Sequence, residues 1–223
     1  MDALLAQFFD AEVALRYLPA MMRGLGVTVT LAVAVIVAGL AGGLVLAIIR
    51  ALQIRVVAAL IVVYADIFRC IPPLTLMFVF YFALPLAGIA MEGTVAAWLA
   101  LVLVLAAFTE EIFWTGILAV DRGQWEAARS TGLGWWQTIT SIVLPQALRV
   151  AIPPLTNRTI AITKGIALAS AVAVPEMLGE AIAATAYSSN STPLMMAAAG
   201  YLVIFLPLAV LSRRIETRFR WGI

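Results

Sequence analysis

Glu126-Ala127-Ala128, three residues, Gly132, nine residues, Ile142, one residue and Leu144-Pro145: this spacing fills the most polar stretch of the chain, residues 121–141, and the edge of the apolar run that follows. Glu126, Ala127, Ala128 and Arg129 are good helix formers. Gly132 suits a sharp helix end or a close backbone approach. Leu133, Trp135 and Trp136 then offer apolar side chains of the kind that anchor protein interfaces. Leu144-Pro145 marks the return into apolar sequence. A polar, helix-forming segment between long apolar runs reads as an amphipathic loop of a chain that is otherwise embedded in lipid.

Working outward, the 223 residues are 64% hydrophobic and only 12% charged, with a mean hydropathy of +1.07. Soluble domains are about half apolar and a quarter charged. The composition therefore fits a multi-span membrane protein. Lipid leaves backbone groups no partners but their own, so the spans are expected to be helices. The net charge of +2 is no nucleic-acid signature, because the basic residues stand at span ends instead of forming a patch. Arg50 and Arg55 follow the first apolar run, Arg122, Arg129 and Arg149 flank the polar loop, and Arg213, Arg214, Arg218 and Arg220 close the chain. Segments 85–93 and 176–193 hold no Lys or Arg. The positive-inside rule then puts the 121–141 loop and the C-terminus in the cytoplasm and the N-terminus outside. Arg16 and Arg23 oppose that orientation weakly, accompanied as they are by Asp2, Asp10 and Glu12.

The expected order of elements is a short outer helix over 1–22 ending near Pro19, then spans over 24–49, 56–84, 94–119, 142–168 and 194–212. Pro72-Pro73 should kink or interrupt the second span, which is longer than a bilayer requires. Pro153-Pro154 should interrupt the fourth. Residues 170–190 are too short and polar for a comfortable span and read as re-entrant or interfacial. Neither an internal repeat nor a linker is visible, so residues 1–223 read as one all-α membrane domain of about five spans. Cys70, the only cysteine, permits no internal disulfide and reads as a small buried residue. Met1-Asp2 does not open a cleavable signal.

The loop pattern EAA-x3-G-x9-I-x-L-P resembles the cytoplasmic coupling loop of permease subunits in bacterial ABC importers. Within these, the chain resembles the polar amino acid permeases. Tyr64 to Arg69 is similar to that subfamily's Y-x-E-x-F-R, Glu111-Ile112-Phe113 to E-I-F/L, and Gly123-Gln124 to its G-Q before EAA. Pro145-Gln146-Ala147-Leu148-Arg149 matches P-Q-A-x-R, and Pro153-Pro154-Leu155-Thr156-Asn157 matches P-P-x-x-N. The similarity covers about residues 17 to 218 and is strongest over 109–164. It departs after Lys164, where Gly165-Ile166-Ala167-Leu168 stands in place of Asp-Thr-Ser-Leu.

The resemblance implies the type I importer permease fold. It also implies a job: one half of an alternating-access pathway in the inner membrane, for polar amino acids or a related small solute. Glu126, Ala127, Ala128, Gly132, Leu133 and Trp135 would meet a cytoplasmic ATPase dimer that holds the ATP and Mg²⁺; no cofactor is expected in this chain. Asp66, Asn157 and Lys164 would line the substrate pathway. A second permease subunit and an extracytoplasmic solute-binding protein complete the expected partners. The missing Asp-Thr-Ser favours a heterodimer, with a homodimer as the other arrangement.

Asp66, Arg69, Glu110, Glu111, Arg158 and Lys164 lie within or near spans, where ionisable groups face protein or a wet path. For Arg69, Glu110 and Glu111 structural pairing is the expected role. Without histidine there is no Ser-His or Cys-His pair. The only lysine, Lys164, follows no glycine-rich phosphate loop. Catalysis is therefore not expected. Two other classes stay open on the sequence: an ion-coupled carrier using Asp66 and Lys164, and a non-transporting scaffold subunit.

Overall fold

A computed structural model describes residues 6–220, with side chains through residue 217. Asp2 and the start of the expected outer segment lie outside the described residues, as do the side chains of Arg218 and Arg220. Nine α-helices make up most of the described chain: α1 (Ala11–Arg50), α2 (Arg55–Cys70), α3 (Pro73–Phe78), α4 (Gly93–Leu118), α5 (Arg122–Ser130), α6 (Trp135–Thr138), α7 (Leu144–Lys164), α8 (Met177–Ser188) and α9 (Thr192–Arg220). Among the described residues four helical stretches are long and apolar enough to cross a membrane, or five when the bent pair of α2 with the α3 segment counts as one span. The expected count of about five therefore stands.

Pro72-Pro73 breaks the second span as expected. Ile71 adopts extended backbone, as a residue before proline prefers, and the chain bends by 99°. Pro153-Pro154 does not break the fourth. Both prolines lie inside a continuous α7, as membrane helices tolerate where hydroxyl side chains and neighbouring segments meet the freed backbone groups. Pro19 also lies inside a helix, since α1 runs unbroken from Ala11. The expected separate outer helix is therefore the first part of a 40-residue helix. Proline removes only one hydrogen bond, and packing of Tyr17 and Met21 against Met177, Ala181 and Ala184 supports the helix on both sides of it. Residues 170–190 hold the last residues of a 3₁₀ segment, Gly165–Val172, and the short α8, which is too short to span, as expected. Cys70 is exposed, not buried; α2 turns Ile61 and Ala65 inward and ends at Cys70.

The described chain separates into two compact units. One comprises residues up to Ile36 with Pro72–Val102 and Ala161–Ala209, and the other comprises Val37–Ile71 and Leu103–Ile160 with the residues from Val210 on. In the first, Met21, Met177, Ala181, Ala184 and Ala197 form a core cluster. In the second, Ala47, Phe113, Ile117, Ile139, Val143, Ala147 and Ala151 form another. Small residues set the packing distance there. A methyl on Gly116 would meet Ala147 O at 2.8 Å, and one on Gly39 would meet Leu105 Cγ at 2.7 Å. Small residues at such crossings let helix backbones approach closely in lipid.

Candidate functional site

The polar loop, within the second unit, folds as helix, turn, helix. Asp121 caps α5, accepting from Gly123 N at 2.6 Å. At the other end, Gly132 N donates to Arg129 O at 3.0 Å and Leu133 N to Ala128 O at 3.3 Å. That pair of bonds is a Schellman ending, which requires a left-handed residue. Gly132 supplies it, with φ +86°. A methyl there would meet nothing of this chain within 4 Å, so it is the helix end, and no approach within the chain, that calls for glycine. Gly134 N donates to Gln137 Oε1 at 2.9 Å, which starts α6 at Trp135. The entering helix thus begins inside the stretch expected to be loop; the non-helical turn covers only 131–134.

The segment is anchored from beneath and open above. Ala128 is buried, and Trp125 and Trp135 pack on the core of this unit. Glu126, Ala127 and Arg129 are exposed, Leu133 is half-buried, and Trp136 is 59% exposed. Of the expected contact residues, Ala128 and Trp135 therefore serve the anchor. Trp136 is the apolar group free to meet another surface. The spacing of Trp125 and Ala128, three residues apart on one helix face, was the available signal for the anchor.

Asp66 belongs to a chain of alternating charges in the same unit. Arg69 Nη2 donates to Asp66 Oδ1 at 2.6 Å, and Arg69 Nη1 lies 3.7 Å from Glu111 Oε2. Arg50 Nη1 reaches Glu111 at 3.4 Å and Glu110 at 3.0 Å, with its guanidinium 4.5 Å from the Trp114 ring centroid. Side-chain exposure runs from 0% at Glu110 to 59% at Asp66. The buried end is structural, because an unpaired charge there is strongly disfavoured. The exposed end can exchange its partner for a solute's charge, since pairs at such exposure are worth only about 0–1 kcal/mol.

Asn157 is exposed on α7. The Ser212 hydroxyl lies 3.4 Å from Asn157 Oδ1 and 3.1 Å from Glu216 Oε1. Beside it, Arg158 stands over the Phe108 ring at 3.7 Å. Ser212 and Glu216 were not singled out from the sequence, because nothing in their spacing ties them to Asn157. In the other unit, Lys164 is exposed at the C-terminal end of α7, where a helix favours a cation. The residues after it are apolar, and Ile166 is fully buried.

The first unit also holds a buried carboxyl, Glu176, whose partners no sequence pattern announces. Glu176, between the apolar helices, caps α8 by accepting from Gly179 N at 2.8 Å. It also accepts from Tyr201 Oη at 2.5 Å. Thr28 Oγ1 accepts from Met177 N at 3.1 Å. Burial pushes the Glu176 carboxyl above the usual range, against the pull of these donors. Among the described residues, no cluster of His, Cys, Asp or Glu has the makings of a metal site.

The family described as binding-protein-dependent transport system inner membrane component matches residues 39–221. The probable glutamine ABC transporter permease protein GlnP of Bacillus subtilis (strain 168) is 37% identical over 180 residues, covering 79% of this chain and 83% of that one. The arginine transport system permease protein ArtQ of the same organism is 30% identical over 213 residues, covering 95% and 97%. A chain from the crystal structure of an amino acid ABC transporter with histidines superposes with a TM-score of 0.83 at 28% identity, over 94% of this chain and 98% of that one. The chain belongs to the inner-membrane components of binding-protein-dependent transport systems, and it is a permease subunit of an ABC importer.

Proposed function

We propose that this subunit forms one half of an alternating-access pathway for polar amino acids across the inner membrane. Relatives named for glutamine and arginine, and a structural relative determined with histidines, support that substrate class. The observation that carries the reading is the α5–turn–α6 segment, fixed to its core by Trp125, Ala128 and Trp135 and open on its outer face. A segment so anchored transmits a push instead of absorbing it. A cytoplasmic ATPase dimer, which carries ATP and Mg²⁺, docks on Glu126, Ala127, Gly132, Leu133 and Trp136. The loop and C-terminus face the cytoplasm and the N-terminus faces outward, where a solute-binding protein delivers cargo.

Asp66, Asn157 and Lys164 contribute polar groups to the pathway, and rocking between its two states moves the solute. The apolar Gly165-Ile166-Ala167 supports a heterodimer in which the partner permease supplies most of the cargo contacts. The test is uptake of labelled glutamine, arginine, histidine and cystine into proteoliposomes holding the chain with its co-expressed transporter subunits. ATP-dependent uptake of one or more of these is expected. Uptake by the chain alone, without ATP, would overturn the reading.

A further inference from the structure

A groove of about 640 Å³ opens on the first unit, and none of the residues assigned to transport lines it. That volume is typical of ligand-sized cavities. One wall is a single stripe of α1: Arg23, Val27, Leu31 and Ala34 recur at helical spacing. Trp98 of α4 and Pro175 close the other side. The stripe runs about 16 Å along the helix at 1.5 Å per residue. Along α1 the guanidinium stands at one end of the groove, the Thr30 hydroxyl part-way and Leu31 and Ala34 beyond it, while α4 adds the Thr94 hydroxyl.

Arg23 is exposed, and among the described residues no carboxylate pairs with it. Its level along the helix is informative. Residues 24–49 carry no charge and end at Arg50, so the two arginines stand about 40 Å apart on α1. That is close to the full thickness of a bilayer with its headgroup regions, about 40–45 Å, against about 30 Å for the hydrocarbon alone. The cation at the mouth is thus at phosphate level, and the apolar floor runs toward the hydrocarbon.

We infer that this groove is a binding site for an anionic glycerophospholipid, its phosphate on Arg23 and one acyl chain along Val27, Leu31 and Trp98. An apolar helix of a second permease would fill the floor but leave Arg23 without a counter-charge.

The test uses the full transporter in mild detergent with two probes, brominated phosphatidylglycerol and brominated phosphatidylcholine. The readout is the part of tryptophan quenching that a Trp98→Phe variant lacks. One cation at headgroup level is expected to give about a fivefold preference for the anionic lipid. Arg23→Gln should erase the preference while both lipids still quench. Gly26→Leu should abolish Trp98 quenching by either lipid, since a side chain there meets nothing of the fold and projects into the groove. Equal quenching by the two lipids in the unmodified protein would overturn the inference. So would undiminished quenching in Gly26→Leu, or photo-cross-linking of the partner permease from a photoreactive residue placed at position 27.

Discussion

Replacing Gly132 tests whether the left-handed turn of the coupling segment is needed for force transmission. The residue sits at φ +86° with no atom within 4 Å of an added methyl. Gly132→Ala therefore meets no steric wall, and its whole cost is its own backbone, about 1 kcal/mol. That corresponds to about a fivefold shift in favour of a turn that has left the Schellman geometry. Such a turn gives up the bonds from Gly132 N to Arg129 O and from Leu133 N to Ala128 O and re-aims Trp136. Asn tolerates the left-handed region, so Gly132→Asn should stay close to the parent. Gly132→Asp keeps that tolerance and adds a charge, so any loss beyond that of Asn reports the docking surface itself. The assay is solute taken up per ATP hydrolysed in proteoliposomes, with membrane insertion measured alongside. Ala is expected to lower the ratio up to about fivefold with insertion intact. If Ala matches the parent, or if Ala and Asn fail equally, the left-handed turn is not the reason for glycine.

Arg50→Met should lower thermal stability in detergent severely, by about 3–5 kcal/mol, because it leaves Glu110 charged and buried. Adding Glu110→Gln to it should recover much of that loss, as a melting series would show. Trp136→Ala should weaken ATPase binding with little change in melting temperature. Trp135→Ala should do the reverse, since that ring packs on the core. Glu176 sets a pH dependence. Its folded carboxyl is raised by burial, so its stabilising contribution is full below the ordinary carboxylate value and is lost as pH rises from there through the folded value. Glu176→Gln should flatten that part of the melting-temperature profile.

The long apolar runs made the membrane class and the span count legible, and they placed the helix ends at Arg55, Gly93 and Leu118 within a residue, whereas α1 starts well before its charge-free run and α9 continues past the expected end to Arg220. Prolines were legible only in part. Pro72-Pro73 broke its helix, while Pro19 and Pro153-Pro154 did not, because what decides is the packing of the surrounding turns, which no local pattern carries. The Gly132 helix end could be read because only glycine takes that conformation freely. The exchange of roles between Trp135 and Trp136 could not: adjacent tryptophans look alike until the cap at Gly134 fixes which one faces the core. Asp66 was visible as an unusual charge in an apolar run. Its neighbours Arg50 and Glu110 lie 60 positions apart in the chain, and only the fold shows that they share its network.

A photo-cross-linking residue in place of Trp136, installed in native membranes, tests the coupling role most directly. An adduct with an ABC ATPase is expected there, and none from position 60, whose leucine is 65% exposed on an apolar helix face. No ATPase adduct at 136, or equal adducts at both positions, would contradict the assignment of α5 and α6 as the surface that receives the motor.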